Sequence, residues 1–159
     1  MARLEAFDLA ADPPKGWDGE IYRRDDDGIE GRAALFGSTE VATPILHLAN
    51  FPLPASRGDY GGGAVELMGR GGIFVSLLEH PSHEGQTALF AANDVPWPLR
   101  ASDFDPKQMQ RAIGGQAGCQ RFFTHNGRAF CLYVAIGSYG TRSVLVREVN
   151  AALASLELG

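Results

Sequence analysis

"CQRFFTHNGRAFC", residues 119–131, holds both cysteines of the chain, with His125 midway between them. The spacing suits a metal clip, a disulfide, a reactive dyad, or two buried thiols on a hairpin. Asn126-Gly127 decides among these readings. It is a strong hairpin signal, because a type I′ turn needs positive φ at both central residues. With that pair as the loop, His125 faces Arg128, Phe122 faces Cys131 and Cys119 faces Val134. Side chains alternate along a strand. One face therefore carries Cys119, Phe123, Phe130, Leu132, Val134 and Ile136, and the other Phe122, Ala129, Cys131, Tyr133 and Ala135. In this register the cysteines point to opposite faces and can neither bond to each other nor share a metal. Both are expected to be small buried hydrophobes, and His125 a turn residue.

A strand apolar on both sides belongs inside a sheet covered on both faces. The tail, Thr141–Gly159, supplies one cover. Leu145, Val149, Ala152, Leu153 and Leu156 fall on one side at helical spacing, which predicts an amphipathic helix over Thr141–Leu158. The second layer must come from Ala64–Met68, Asp105–Ile113 and the loop around Trp97. The expected class is α+β: a mostly antiparallel β-sheet covered on both faces, with an amphipathic C-terminal helix.

Further strands are predicted at Arg3–Leu9, Trp17–Arg24, Gly31–Gly37, within Thr43–Pro54, at Gly72–His80 and at Thr87–Ala92, which is expected to pair with its predecessor. Asp25–Asp27 reads as a solvated turn, since the alternating spacing of a Ca²⁺ loop is missing. One or two helical turns are expected in Gly61–Gly72. A short helix is expected after Asp105 as N-cap and Pro106 at N1. No internal repeat or linker divides the chain, so residues 1–159 read as one globular domain.

The chain has 159 residues, 45% hydrophobic and 21% charged, with a net charge of −5 at pH 7. That charge gives no general attraction to nucleic acid or anionic membranes. No stretch has the ~18 apolar residues of a membrane span, and residues 1–14 lack a signal-peptide core. A soluble, cytoplasmic protein without membrane insertion is expected. Two cysteines in a chain this long do not make a disulfide framework.

Four stretches are candidates for chemistry. Ser138, within Ile136–Gly140, sits where a nucleophile elbow would, but Ile136 replaces the first glycine and no acid/His pair follows. Capping of the last helix by Ser138 or Thr141 is the simpler reading. His80 and His83, with Glu84, are candidate metal ligands in a loop where no further ligand is evident. Gly61–Gly63 precedes a helical turn and is a candidate anion site, although the P-loop ending is absent. Trp97 and Arg100 are candidate protein-interaction residues on a proline-stiffened loop; the competing reading is that Trp97 folds back as a lid on the core. His47, mid-strand, is read as a hydrogen-bonded core or edge residue.

The order of elements, Gly16-Trp17 before the second strand, and the ending "FFTHNGRAFCLYVAIGS…VNAALASLEL" resemble PsbP-like domains. The chain is also similar to short actinobacterial proteins. The resemblance implies an α/β/α sandwich and a role in binding proteins rather than catalysis. No catalytic constellation is complete, and no cofactor or metal is called for. The expected function is a non-catalytic protein-binding or assembly subunit of a larger complex, with a protein partner or a homo-oligomer. The alternatives are a small hydrolase using Ser138 or a His80/His83 metal, and a small-ligand or anion-binding domain.

Overall fold

Asn126 and Gly127 have φ of 52° and 77° in the computed structural model, which describes residues 3–23, 43–81 and 87–159. Both central residues are left-handed, as a type I′ turn requires. The turn joins β6 (Ala117–His125) to β7 (Arg128–Ile136), and His125 pairs with Arg128, Phe122 with Cys131 and Cys119 with Val134. This is the register expected from the sequence.

The hairpin lies in a five-stranded antiparallel sheet with β3 (Asp18–Arg23), β4 (Pro44–Ala49) and β5 (Ile73–His80), in the order β3-β4-β5-β7-β6. A three-stranded antiparallel sheet combines β1 (Leu4–Ala6), β2 (Leu9–Ala11) and β8 (Glu157–Leu158) in the order β1-β2-β8. Among the described residues there is one α-helix, α1 (Arg142–Leu153). The class is α+β with mainly antiparallel sheets. No helix among the described residues is long and apolar enough to cross a membrane.

Alternation along β7 sorts its buried side chains into separate clusters. Leu132, Val134 and Ile136 pack with Leu145, Val146, Val149, Ala152 and Leu153 of α1, and with Leu9 and Ala11 of the small sheet. Tyr133 and Ala135, pointing the other way, pack with Ala64, Val65 and Met68. Cys119 belongs to the first cluster, whereas Cys131 lies with Ile45 and Leu78 on the opposite side. Both thiols are free and buried.

The outer edge of β6 is occupied by the chain's own groups. Thr124 exchanges backbone bonds with Ala92 and Asp94, and Gly118 exchanges two with Asp105. Between them, the Gln120 N–H donates to Gln108 Oε1. An edge with these groups taken is a poorer template for another strand.

Several expectations are corrected. Thr87–Ala92 is not a strand: Ala88–Phe90 forms a 3₁₀ turn. Its expected partner β5 already has β4 and β7 on its two sides, so no place remains there. Arg3–Leu9 is not one strand, because the chain reverses at Phe7 and Asp8, both at positive φ (53° and 62°). Residues of that type rarely adopt this conformation unaided. Here Arg128 donates to the carbonyls of both, and the Arg23 guanidinium lies 4.1 Å over the Phe7 ring. The last helix stops at Leu153 rather than Leu158, since Glu157 and Leu158 pair instead with Ala10 and Leu9 of β2. Leu156, expected on the helix, follows it and packs partly against the core.

The predicted helical segments before β5 and after Asp105 shrink to single 3₁₀ turns, Val65–Leu67 and Pro106–Gln108. Asp105 does cap the second, accepting from the Lys107 N–H at 2.8 Å. The Trp97 loop lies on the α1 side of the sheet, with Leu99, Phe104 and Trp97 in the helix-side cluster, and so adds nothing to the second layer. The Gly31–Gly37 strand and the Asp25–Asp27 turn lie outside the described residues.

Candidate functional site

Cross-strand partners point to the same side of a sheet. The register aligns Glu20 with His47, His47 with Ser76, Ser76 with Tyr133, and Tyr133 with Gln120. Five polar side chains thus form one row across all five strands. They point away from α1, on the side of Ala135 and Cys131. The flanking rows are mostly apolar, one running Tyr22, Ile45, Leu78, Cys131, Phe122.

Buried polar groups need partners, and two further segments supply them. The first runs from Phe51 to Met68. Its Arg57 side chain is only 6% exposed and donates from Nε to His47 Nδ1 at 2.8 Å, from Nη1 to the Pro54 carbonyl, and from Nη2 to Glu20. The Asp59 carbonyl lies 2.9 Å from His47 Nε2 and accepts from Ser76 Oγ at 2.6 Å. The Tyr22 hydroxyl donates to Asp59 Oδ1 at 3.0 Å, and Leu53 N–H donates to Asp18 Oδ2 at 2.8 Å. The second segment, Asp105–Ile113, reaches the far end of the row. Its Gln110 N–H donates to the Tyr133 hydroxyl at 3.1 Å.

The electrostatics follow from this burial. His47 is fully buried, and burial pushes its imidazole down to about 4, with the Arg57 charge acting in the same direction. Only the neutral Nε2–H tautomer accepts from Arg57 and donates to Asp59 together. Burial pushes Tyr60 up to about 12 and raises Tyr133 and Cys131. The reading of His47 as a hydrogen-bonded core residue describes it correctly, but the network around it was not visible in sequence. Arg57 and Asp59 lie in a loop, and only the β3-β4-β5 register brings Tyr22, His47 and Ser76 beneath them.

The row has the residue types of a catalytic site but not its access. His47 and Ser76 are both fully buried. A surface depression of about 280 Å³ borders the row, lined by Asp18, Gly19, Glu20, Leu53, Ala55 and Arg57, and its charged groups are already engaged with one another or with backbone. A second of about 490 Å³ lies between the N-terminal hairpin and β8, where Arg3 pairs with Glu5 and Glu157.

The other candidates occupy separate places. Ser138 is buried, and its Oγ accepts from the Thr141 N–H at 3.3 Å, at the start of α1. Among the described residues it bonds to no histidine. His80 ends β5 and packs against Phe90, ring centroids 5.2 Å apart. His83 and Glu84 lie outside the described residues, and among those described no three ligating side chains converge on a metal position. In the Gly61–Gly63 turn, the Gly63 N–H is taken by Glu66 Oε1 at 2.8 Å, a carboxylate already seated where an anion would sit. His125 Nδ1 lies 3.1 Å from Asp94 Oδ1 at the hairpin end.

Trp97 is half-buried and meets Phe123 edge-on, centroids 5.9 Å apart. Arg100 is exposed. The loop between them is held from three sides: Asn150 bonds both backbone groups of Leu99, the Arg100 N–H donates to Asp103 Oδ2, and Arg121 pairs with Asp103. No protein-family model, no curated protein and no solved structure matches this chain.

Proposed function

We propose that the protein is a non-catalytic protein-binding or assembly subunit of a larger complex, with the Val95–Asp103 loop as its contact surface. The observation that carries this reading is the two-sided grip of Asn150 on Leu99. A loop held in one conformation loses little entropy when a partner docks. Trp and Arg, the favoured anchors of interfaces, stand on either side of that grip. The polar row, by contrast, is spent on internal bonds. We read the layers as a PsbP-like sandwich covered on both faces, with α1 and the small sheet on one side and the two covering segments on the other. Binding of a protein, a second copy included, is the activity such an arrangement serves. The hydrolase and anion readings gain no support from the placement of Ser138 and Gly63.

The test is affinity capture from a host extract, identification of the captured protein, and titration of that purified partner. Light scattering measures self-association in parallel. Arg100→Glu is expected to weaken the association about tenfold or more at unchanged Tm. Undiminished association by both Arg100→Glu and Trp97→Ala would overturn the assignment of this surface.

A further inference from the structure

The strap Phe51–Gly63 is rich in glycine, proline and polar residues. Three strands hold it by polar pins: Asp18 and Tyr22 from β3, His47 from β4, and Ser76 from β5. His47 is the central pin, because both its ring nitrogens are engaged, one by Arg57 and one by the Asp59 carbonyl. A second proton on this ring would have to sit on Nδ1. There it would face the Arg57 Nε–H at 2.8 Å, donor against donor and cation against cation. A protonated His47 therefore opposes a closed strap.

We propose that Phe51–Gly63 is an acid-released latch: a proton taken up at His47 expels Arg57, lifts the strap and uncovers the Cys131–Tyr133 side of the sheet. Tyr60 is the residue of the strap that connects these events. It packs against both Cys131 and Tyr133, the latter edge-on at 5.6 Å. Lifting it opens a path to the Cys131 thiol. Cys119, on the other side of the same hairpin, stays in the helix-side core.

The direction of the pH dependence follows from the closed-state value of about 4 against the ordinary 6.5 of a freed imidazole. A group whose value is depressed in the closed state stabilises that state fully above 6.5. Its contribution is lost as pH falls toward 4. Opening therefore becomes about tenfold more favourable per pH unit across that window and levels off below it. The charged and titratable groups facing His47 are Glu20 and Tyr22 from β3, and Arg57 and Asp59 from the strap; β5 contributes uncharged Ser76 and Phe74. The Glu20, Asp59 and nearby Asp18 carboxylates take part in holding the same strap, so the test must isolate His47.

The test is thiol labelling of the full chain with 4,4′-dithiodipyridine, which reacts in acid, from about pH 7 to pH 4.5. Each cysteine is followed separately by peptide mass, and each rate is divided by that of the same thiol in the denatured chain. Cys131 labelling is expected to rise by about tenfold per pH unit below 6.5 while Cys119 stays protected. His47→Gln keeps one acceptor and one donor without titrating, and should hold Cys131 protected throughout. Ser76→Ala removes one of the two donors to the Asp59 carbonyl, and should raise Cys131 labelling already at neutral pH without exposing Cys119. Parallel labelling of both cysteines, or continued protection of Cys131 at pH 4.5, would overturn the latch. So would acid labelling of Cys131 that persists in a folded His47→Gln variant. If that variant does not fold, Ser76→Ala decides: unchanged labelling rejects the proposal.

Discussion

Asn150 grips the backbone of Leu99 from both directions: the Leu99 N–H donates to its Oδ1 and its Nδ2 donates to the Leu99 carbonyl, each at 2.8 Å. One side chain on α1 therefore does for the Trp97 loop what a neighbouring strand would do. Asn150→Ala leaves both backbone groups without these partners, at a cost of about 1–3 kcal/mol. Denaturant unfolding measures the cost. Amide exchange at Leu99 should accelerate by more than the global loss explains. If the loop is the contact surface, partner affinity falls too, although Asn150 itself lies behind it.

The helix-side core depends on Leu153, which is fully buried at the last turn of α1. Leu153→Ala removes a side chain packed in the largest cluster and should cost about 2–5 kcal/mol, depending on how far the site collapses. A loss below about 1 kcal/mol would mean that the helix is not packed on the sheet in solution.

Arg128 joins three remote pieces of chain. Its guanidinium forks onto Glu79 at 3.0 and 2.6 Å, and it also donates to the carbonyls of Phe7, Asp8 and Gly159. The Arg128 and Glu79 side chains are 18% and 16% exposed, so water screens the pair only in part. Arg128→Ala strands Glu79 and frees the left-handed turn at Phe7 and Asp8, with an expected loss of about 2 kcal/mol or more. Arg128→Lys should recover little of this, because an ammonium cannot reproduce the fork. Chemical denaturation of both variants, with exchange of the β1-β2 amides, tests the assignment.

The thiols are expected to be inert near neutral pH. Burial pushes Cys119 up to about 11 and raises Cys131 as well, so the thiolate that reacts is scarce at pH 8. Titration with a disulfide reagent should give negligible fast labelling of the native chain and two equivalents in denaturant. Oxidation without unfolding should form no bond between the cysteines. One rapid equivalent at pH 8 would contradict the burial of that side chain.

Local chemistry made the centre of the fold legible. Asn126-Gly127 specified a turn needing only its own φ angles, and strict alternation then placed eleven side chains of β6 and β7 on their faces. The periodicity of Leu145, Val149, Ala152 and Leu153 likewise revealed the buried stripe of α1. Readings failed where the deciding partner was remote. Phe7-Asp8 carries no turn signature of its own, and its conformation depends on Arg23 and Arg128. Thr87–Ala92 has strand-like composition, but the flanks of β5 were already filled.

His47 marks the same boundary within the candidate site. From sequence it is one histidine in an apolar strand, and nothing nearby announces a partner. The register sets it between Glu20 and Ser76, and the strap brings Arg57 and Asp59 onto its two nitrogens. By itself the sequence determined the hairpin, the orientation of its cysteines and the buried face of the last helix, because alternation and turn geometry act between residues close in the chain. Only the tertiary structure decided the polar row and its latch, because they consist of hydrogen bonds between residues that are neighbours solely after the strands have paired.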